Sequence, residues 1–308
     1  MNTSPSPDAP LVSVAVVTYN QRDFLDECLR SILAQDYPNF EIVVADDGST
    51  DGTAELLRQF DAEHPGKFVL LISERNQGVT PNHDLALSGC RGDYISWIGG
   101  DDMMLPGKLS AQVAYMQANP QCVICYHDVE LFDSDTGEKL WLSSELDAPR
   151  KGDLSTIIRD GHFHSAISSL VRATHSPRSF NRAIAVASDW LYYVECLSYG
   201  GTIEPIPGVY ARQRRHSKEI DRNVTGSADR SQPIGLMREH LQSCAIILGR
   251  WPEMAREVRY RVSRLLIMQR WQDGGAHYRA YLKASLGTHF SAKAAVGYLA
   301  DVLFGWRR

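Results

Sequence analysis

The chain is poor in cysteine, in net charge and in long apolar runs, and each shortage removes a class of protein. Six cysteines in 308 residues, at positions 28, 90, 122, 125, 196 and 244, are too sparse for a disulfide scaffold and fit a reducing compartment. No window approaches the ~18 uninterrupted apolar residues of a membrane-spanning helix. A formal net charge of −5 and a pI near 6.1 argue against nucleic acid as a partner. Residues 1–10 carry no basic stretch leading into an apolar run, so they read as a disordered tail and not a signal peptide; the expected location is the cytoplasm. Two nucleotide-binding signatures are missing as well. No G-x-G-x-x-G follows the first apolar run, which argues against a dinucleotide-dependent dehydrogenase. No G-x-x-x-x-G-K-[ST] exists, which excludes a P-loop. There is no internal repeat.

What is present is the make-up of a globular protein, 44% hydrophobic and 22% charged. Short β-branched runs at 11–17, 40–45, 68–72 and 94–98 alternate with helical periodicity at 23–35, 53–61 and 80–88. Alternation of this kind predicts an α/β fold, a mostly parallel sheet with helices on both faces. A polar residue follows each strand: Asn20, Asp47, Arg75 and Asp102. In such a sheet all four converge on one edge, where ligands bind. The fourth strand ends in Gly99-Gly100-Asp101-Asp102. Two adjacent carboxylates at a buried strand end are costly unless a cation sits there, and a hard divalent ion bridging them to a diphosphate would neutralise the site. The same four residues are also good turn chemistry, so both readings stand at this point.

Further on, 108–118 reads as a helix, 122–126 as a strand, 129–142 as a hairpin and 154–160 as a short helix. Ser188-Asp189-Trp190 opens a helix with Ser188 as its expected N-cap. A closing strand over 203–210 is followed by a polar stretch, 212–231, expected to be a mobile loop; the pattern from 233 onward is helical.

The ordered set Val16-Val17-Thr18-Tyr19-Asn20, Val44-Ala45-Asp46-Asp47-Gly48-Ser49-Thr50-Asp51, Asn76-Gln77-Gly78, Asn82, Gly92-Asp93-Tyr94-Ile95, Gly100-Asp101-Asp102, Ser188-Asp189-Trp190 and Arg214-Arg215-His216 resembles a family 2 glycosyltransferase with the GT-A fold. The resemblance covers roughly residues 11–217. It implies a catalytic domain there, with a nucleotide half to about 105 and an acceptor half beyond, and a C-terminal helical extension over 218–308. It implies an inverting transfer of a sugar from a nucleoside diphosphate sugar, a UDP-sugar first, to a hydroxyl of a glycan or lipid-linked glycan, as in cell-surface polysaccharide synthesis.

Residue by residue, the resemblance gives Thr18, Asn20 and Asp47 to the nucleotide base; Asp47 could equally cap an Asx-type turn. Arg75 would reach base or phosphate, or serve as a surface ion-pair arginine. Asn82 would touch the nucleotide or cap its helix. Asp101 falls near the ribose and Asp102 becomes a ligand of Mn²⁺ or Mg²⁺, although positions 99 and 100 lack the extra aspartate of many members. Asp189 is the expected general base, without the acidic residue that often precedes it. Its alternative is an aspartate stabilised by the helix dipole. His216 would complete the metal shell or touch the diphosphate, helped by Arg214 or Arg215, or lie exposed in its loop.

Other signals carry less. Cys122-Val123-Ile124-Cys125 has no second ligand pair for zinc and reads as core strand. His162-Phe163-His164 lines an acceptor pocket or simply packs. Residues 249–308 hold eleven basic and four acidic side chains, a net +7 that leaves −12 for the rest. Basic helices with aromatic faces fit peripheral contact with an anionic membrane; packing on the catalytic domain or in a homodimer is the alternative. Two competing functions are a nucleotidyltransferase, which would need a basic glycine-rich loop the sequence lacks, and a relative that binds nucleotide or glycan without turnover.

Overall fold

The computed structural model describes residues 9–215, 234–270, 277–290 and 292–304. The β-branched run Val12–Thr18 forms β1, whose side chains are all buried but that of Val17. Such a strand must be covered on both faces and paired on both edges. It pairs in parallel with β2 (Phe40–Asp46) and β4 (Tyr94–Gly99), and β2 pairs in parallel with β3 (Phe68–Ile72). The connections are α1 (Arg22–Leu33), α2 (Thr53–Glu63) and α3 (Val79–Gly89). Helix α1 buries Leu25, Cys28, Leu29 and Ile32, a stripe of helical spacing, in the core that also holds Val12, Val14, Val16 and Ile42.

Register does the positioning. Thr18 lies opposite Asp46, Asp46 opposite Ile72, and Val17 opposite Gly99. The four parallel strands therefore end level, and the loops that follow them start from one line.

Beyond β4 the chain makes β5 (Met103–Met104), α4 (Lys108–Ala118), β6 (Cys122–Asp133), β7 (Lys139–Leu142), α5 (Ser143–Leu146), α6 (Leu154–Asp160), β8 (Ser169–Arg172), α7 (Ser188–Ser198) and β9 (Thr202–Arg215). The sheet order is β3-β2-β1-β4-β8-β6-β9-β5, with β7 on β6. Strand β8 is antiparallel to β4 and β6, whereas β6 and β9 run parallel. This is the expected α/β sheet with helices on it, parallel over β3-β2-β1-β4 but mixed beyond, with four parallel and four antiparallel pairings among the described residues.

Two local expectations are corrected. Residues 212–215 are not loop: Arg212–Arg215 continue β9, paired with Glu130–Asp133 of β6. The rest of the expected loop lies outside the described residues. The 122–126 strand and the first arm of the 129–142 hairpin are one strand, β6, irregular in register but unbroken.

One compact unit comprises the described residues to Leu154 and His162–Arg215; a second comprises Ser155–Gly161 and the described residues beyond 215. In the second unit, α8 (Ile234–Arg250), α9 (Ala255–Met268), α10 (Tyr278–Thr288) and α11 (Ala292–Phe304) are the expected C-terminal helices. Tyr278, Leu282 and Ala294 form a small core with Ile267, Leu286 and Tyr298. No helix among the described residues is long and apolar enough to cross a membrane.

Candidate active site

The loops that start from the level strand ends are bound to one another by backbone and short polar groups. Asp47 N–H donates to the Thr18 carbonyl at 3.1 Å. Asn20 sits at φ 51°, a left-handed conformation that asparagine tolerates. From there its N–H reaches Ser49 Oγ at 2.8 Å, and its Oδ1 accepts from Thr50 N–H at 2.9 Å. Thr18, buried, donates from its hydroxyl to Gln21 Oε1.

Asp47 is buried, and both its oxygens are engaged: Oδ1 accepts from Gln77 N–H at 2.8 Å and Oδ2 from Gly78 N–H at 2.9 Å. Each oxygen keeps a second lone pair. The turn alternative for Asp47 thus has a concrete form, a clamp on the loop after β3. That loop comes so near that a Cβ on Gly48, itself at φ 71°, would stand 2.5 Å from the Arg75 carbonyl carbon. Arg75 itself is exposed on this loop. Asn82 neither caps α3, whose N-cap is Gly78, nor stands open to solvent. Its Nδ2 donates to the carbonyls of Thr18 and Ala45, each at 3.2 Å, bolting the ends of β1 and β2 together, while its buried Oδ1 has no partner among the described residues.

At the end of β4, Gly100 N–H donates to the Val17 carbonyl at 3.0 Å, and a Cβ there would lie 2.8 Å from both Thr18 Oγ1 and Gln21 Oε1. Glycine is needed for that approach. The Asp101 and Asp102 carboxylates gather over Gly99: its Cβ would lie 2.9 Å from Asp101 Oδ1 and 3.6 Å from Asp102 Oδ2. Asp102 is buried, and Oδ1 accepts from Arg214 N–H at 2.9 Å. Burial first, and then the charge of Asp101, push its carboxyl well above the ordinary range, against the opposing effect of Arg214 and Arg215. The Arg214 side chain lies elsewhere. Its Nε donates to the Asp101 carbonyl at 2.9 Å, its Nη2 to Glu27 at 2.7 Å, and its guanidinium stacks between Phe24 and Phe132. His216 lies outside the described residues.

Asp189 stands in the first turn of α7, which is capped by Ala187 and not by the expected Ser188. The Ser188 hydroxyl instead accepts from Thr80 Oγ1 at 2.7 Å, joining α7 to the first turn of α3. Asp47 and Asp189 are therefore neighbours of one helix start: the first holds Gly78, and the second follows the residue that holds Thr80. Asp189 borders a cavity of about 200 Å³ with Val79, His83, Trp97, Phe180 and Tyr192. Trp97 belongs to β4, the strand that ends at Asp101 and Asp102.

Sequence reasoning did not pair His162 with Asp189. Its Nδ1 lies 3.3 Å from Asp189 Oδ2. Phe163 and His164 line a second cavity of about 360 Å³ with Tyr126, Asp128, Ser144 and Pro205. Burial holds His164 well below the ordinary imidazole range. Cys122 and Cys125 are buried core residues, as expected.

The carboxylate pair suits a hard divalent cation. Two adjacent carboxylates, one held protonatable by burial and by its neighbour's charge, are the donor set such an ion would stabilise. Among the described residues no group of three or more His, Cys, Asp or Glu side chains is arranged to hold a metal alone.

A family model described as Glycosyl transferase family 2 matches residues 13–173, just over half of the chain. Against mycobacterial relatives that are 30% identical over 212 residues, the match takes in 68% of this chain but only 60% of theirs. TuaG of Bacillus subtilis, a glycosyltransferase assigned by name to teichuronic acid biosynthesis, is 32% identical over 126 residues, 41% of this chain and 49% of TuaG. Among solved structures, S. aureus TarS 1-349 in complex with UDP-GlcNAc superposes with a TM-score of 0.63 at 16% identity, covering 94% of this chain and 84% of that one. The mannosyltransferase PcManGT from Pyrobaculum calidifontis, in complex with GDP-Man and Mn²⁺, does so with a TM-score of 0.59 at 19% identity, covering 99% and 84%. At these identities the likeness to solved structures is one of fold.

Proposed function

The chain belongs to glycosyltransferase family 2, and we propose that it moves a sugar from a nucleoside diphosphate sugar, a UDP-sugar by preference, to a hydroxyl of a glycan or lipid-linked glycan with inversion at the anomeric carbon. The observation that carries this reading is the level end of β1, β2 and β4, which lines up Thr18, Asp47 and Asp101–Asp102, with Asp189 next along through α3. The uridine-nucleotide complex of TarS and the name of TuaG support the donor and the glycan acceptor.

In this reading the base lies against the loop of Thr18 and Asn20, with a remaining lone pair of Asp47 accepting from an imide N–H. Asp102 would hold Mn²⁺ or Mg²⁺, with His216 as a second candidate ligand and Asp101 near the ribose. Bound there, the ion would supply positive charge to the departing diphosphate. Asp189, at the rim of its cavity, takes the proton from the acceptor hydroxyl. The new C–O bond forms on the face opposite the breaking one, and the leaving electron pair departs with the nucleoside diphosphate. Arg75, exposed at the loop tip, is free to swing onto bound nucleotide.

Purified protein incubated with UDP-, dTDP- and GDP-sugars, with and without Mn²⁺, tests the reading by donor hydrolysis or transfer. Metal-dependent release of UDP, lost in Asp102→Ala, supports it. No nucleotide-sugar binding, or undiminished turnover in Asp102→Ala, rejects it.

A second reading concerns placement. The outer side of α11 exposes Val296, Leu299, Val302 and Leu303, with Phe290 just before it, in the segment that carries the +7 charge. That combination suits an anionic membrane surface on the cytoplasmic side, where a lipid-linked acceptor would lie. Sedimentation with vesicles rich in phosphatidylglycerol, abolished by Leu299→Glu/Leu303→Glu, supports it; concentration-dependent dimerisation without vesicle binding replaces it with a second copy of the chain.

A further inference from the structure

We propose that His162 is a positioning residue for Asp189, holding the carboxylate so that its free lone pairs face the acceptor hydroxyl. The proposal rests on Asp189 being the general base, and its test separates the two claims.

Among the described residues, the Asp189 carboxylate has two fixed contacts. Oδ1 accepts from Trp190 N–H at 2.8 Å, a bond within its own helix turn. Oδ2 faces His162 Nδ1 at 3.3 Å. These two contacts, one on each oxygen, set the plane of the carboxylate. The side chain is still 38% exposed, so one face remains open. That face borders the cavity lined by His83, Trp97, Phe180 and Tyr192.

The surroundings of the imidazole decide which nitrogen carries its proton. His162 Nε2 is buried and has no hydrogen-bond partner among the described residues. A proton there would be a buried donor without an acceptor, whereas on Nδ1 it faces a carboxylate oxygen 3.3 Å away. The neutral ring therefore carries its proton on Nδ1, the nitrogen that faces Oδ2. The ring is held in place by aromatic neighbours: Tyr193 with centroids 5.4 Å away and His164 at 4.7 Å. The titratable groups facing the pair are Asp189 and Tyr193 from α7, His164 from its own segment and His83 from α3, whose imidazole burial keeps below its ordinary range. Gly161, the residue before His162, is packed against the Arg261 guanidinium.

A carboxylate with only its helix contact rotates about the Cβ–Cγ bond and presents its lone pairs in several directions. A second contact on the other oxygen removes that freedom before the acceptor arrives, which is how orientation is converted into rate. The step is balanced: the acceptor O–H bond breaks and its proton passes to the open lone pair of Asp189, the O–C1 bond forms, and the C1–O bond to the diphosphate breaks with its electron pair leaving on oxygen. His162 keeps its own proton throughout.

The test compares His162→Leu, which removes the donor, with His162→Asn, whose amide nitrogen stands near the position of Nδ1, and with Asp189→Asn. The expected result for Leu is a fall in kcat of roughly 10–100-fold with the donor KM and melting temperature near wild type. Asn should recover most of the activity. Wild-type kcat in the Leu variant, or an Asn variant as impaired as Leu, overturns the positioning role even if Asp189→Asn is inactive. Full turnover in Asp189→Asn overturns the base assignment itself, whatever the His162 variants do.

Discussion

The two halves of the sheet hold their carboxylates in opposite ways. On the parallel side, Asp47 and Asp102 are buried and receive backbone N–H groups from segments distant in sequence, Gln77 and Gly78 of the loop after β3 in one case and Arg214 of β9 in the other. On the mixed side, Asp189 is partly exposed and is held by its own helix turn and one imidazole. Backbone donors cannot rotate away, so the first arrangement builds rigid walls. The second leaves a carboxylate that is aimed yet open. A rigid wall suits a ligand whose shape is constant, such as a nucleotide; an aimed carboxylate suits a proton that has to move.

That contrast can be broken in graded steps. The largest expected effect is at Asp102. Replacing it with Asn keeps an acceptor for Arg214 N–H but removes the charge, and kcat in the presence of Mn²⁺ should fall by about 10³-fold or more with the fold intact by circular dichroism. Gly48→Val comes next. The added side chain would collide with the Arg75 backbone and would also occupy a left-handed φ, so the loop clamped by Asp47 should be displaced. Donor affinity measured by calorimetry should weaken about 10-fold or more, and thermal stability should drop by roughly 2–4 kcal/mol. If nucleotide affinity survives, the parallel side is not the rigid wall described.

The smallest effect lies away from both sites. Lys108 is fully buried, its ammonium on Ser96 Oγ at 2.8 Å and Gln112 Oε1 at 2.7 Å, and burial pulls its pKa down to about 7. In the unfolded chain the group titrates near ~10.4. Between those values the unfolded state binds more protons, so this residue makes stability rise with pH from about 7 to about 10. Below that window the cost of burying the charge is present in full. Lys108→Met should therefore stabilise the protein by roughly 1–3 kcal/mol at pH 6, less as pH rises, and flatten the slope; chemical denaturation at four pH values reads both.

The parallel half was legible because its signals are local. Each β-branched run is followed by its polar residue, and the register that levels Thr18, Asp46 and Gly99 follows once the strands are known. The far half was less so. Arg212-Gln213-Arg214-Arg215 reads as a polar loop by composition, and only pairing with β6 and the aromatic faces of Phe24 and Phe132 makes it strand. Asp47 showed its acidity in the sequence but not its occupation, since Gln77 and Gly78 arrive from the loop of another strand. Ser188 had the chemistry of a cap, yet the helix is capped one residue earlier and its hydroxyl serves α3. His162 carried no signal that set it apart from His164; what distinguishes them is which one faces Asp189.

Arg214 has a consequence for how such an enzyme is dissected. Its contact with Asp102 comes from the main chain, while its guanidinium is spent on Glu27 and the Asp101 carbonyl. An alanine scan would delete the second set and leave the first untouched, scoring the position as a surface-distant arginine of modest worth. Only a change that displaces the peptide itself, such as proline at 214, would disclose that the strand and the acidic pair share a bond.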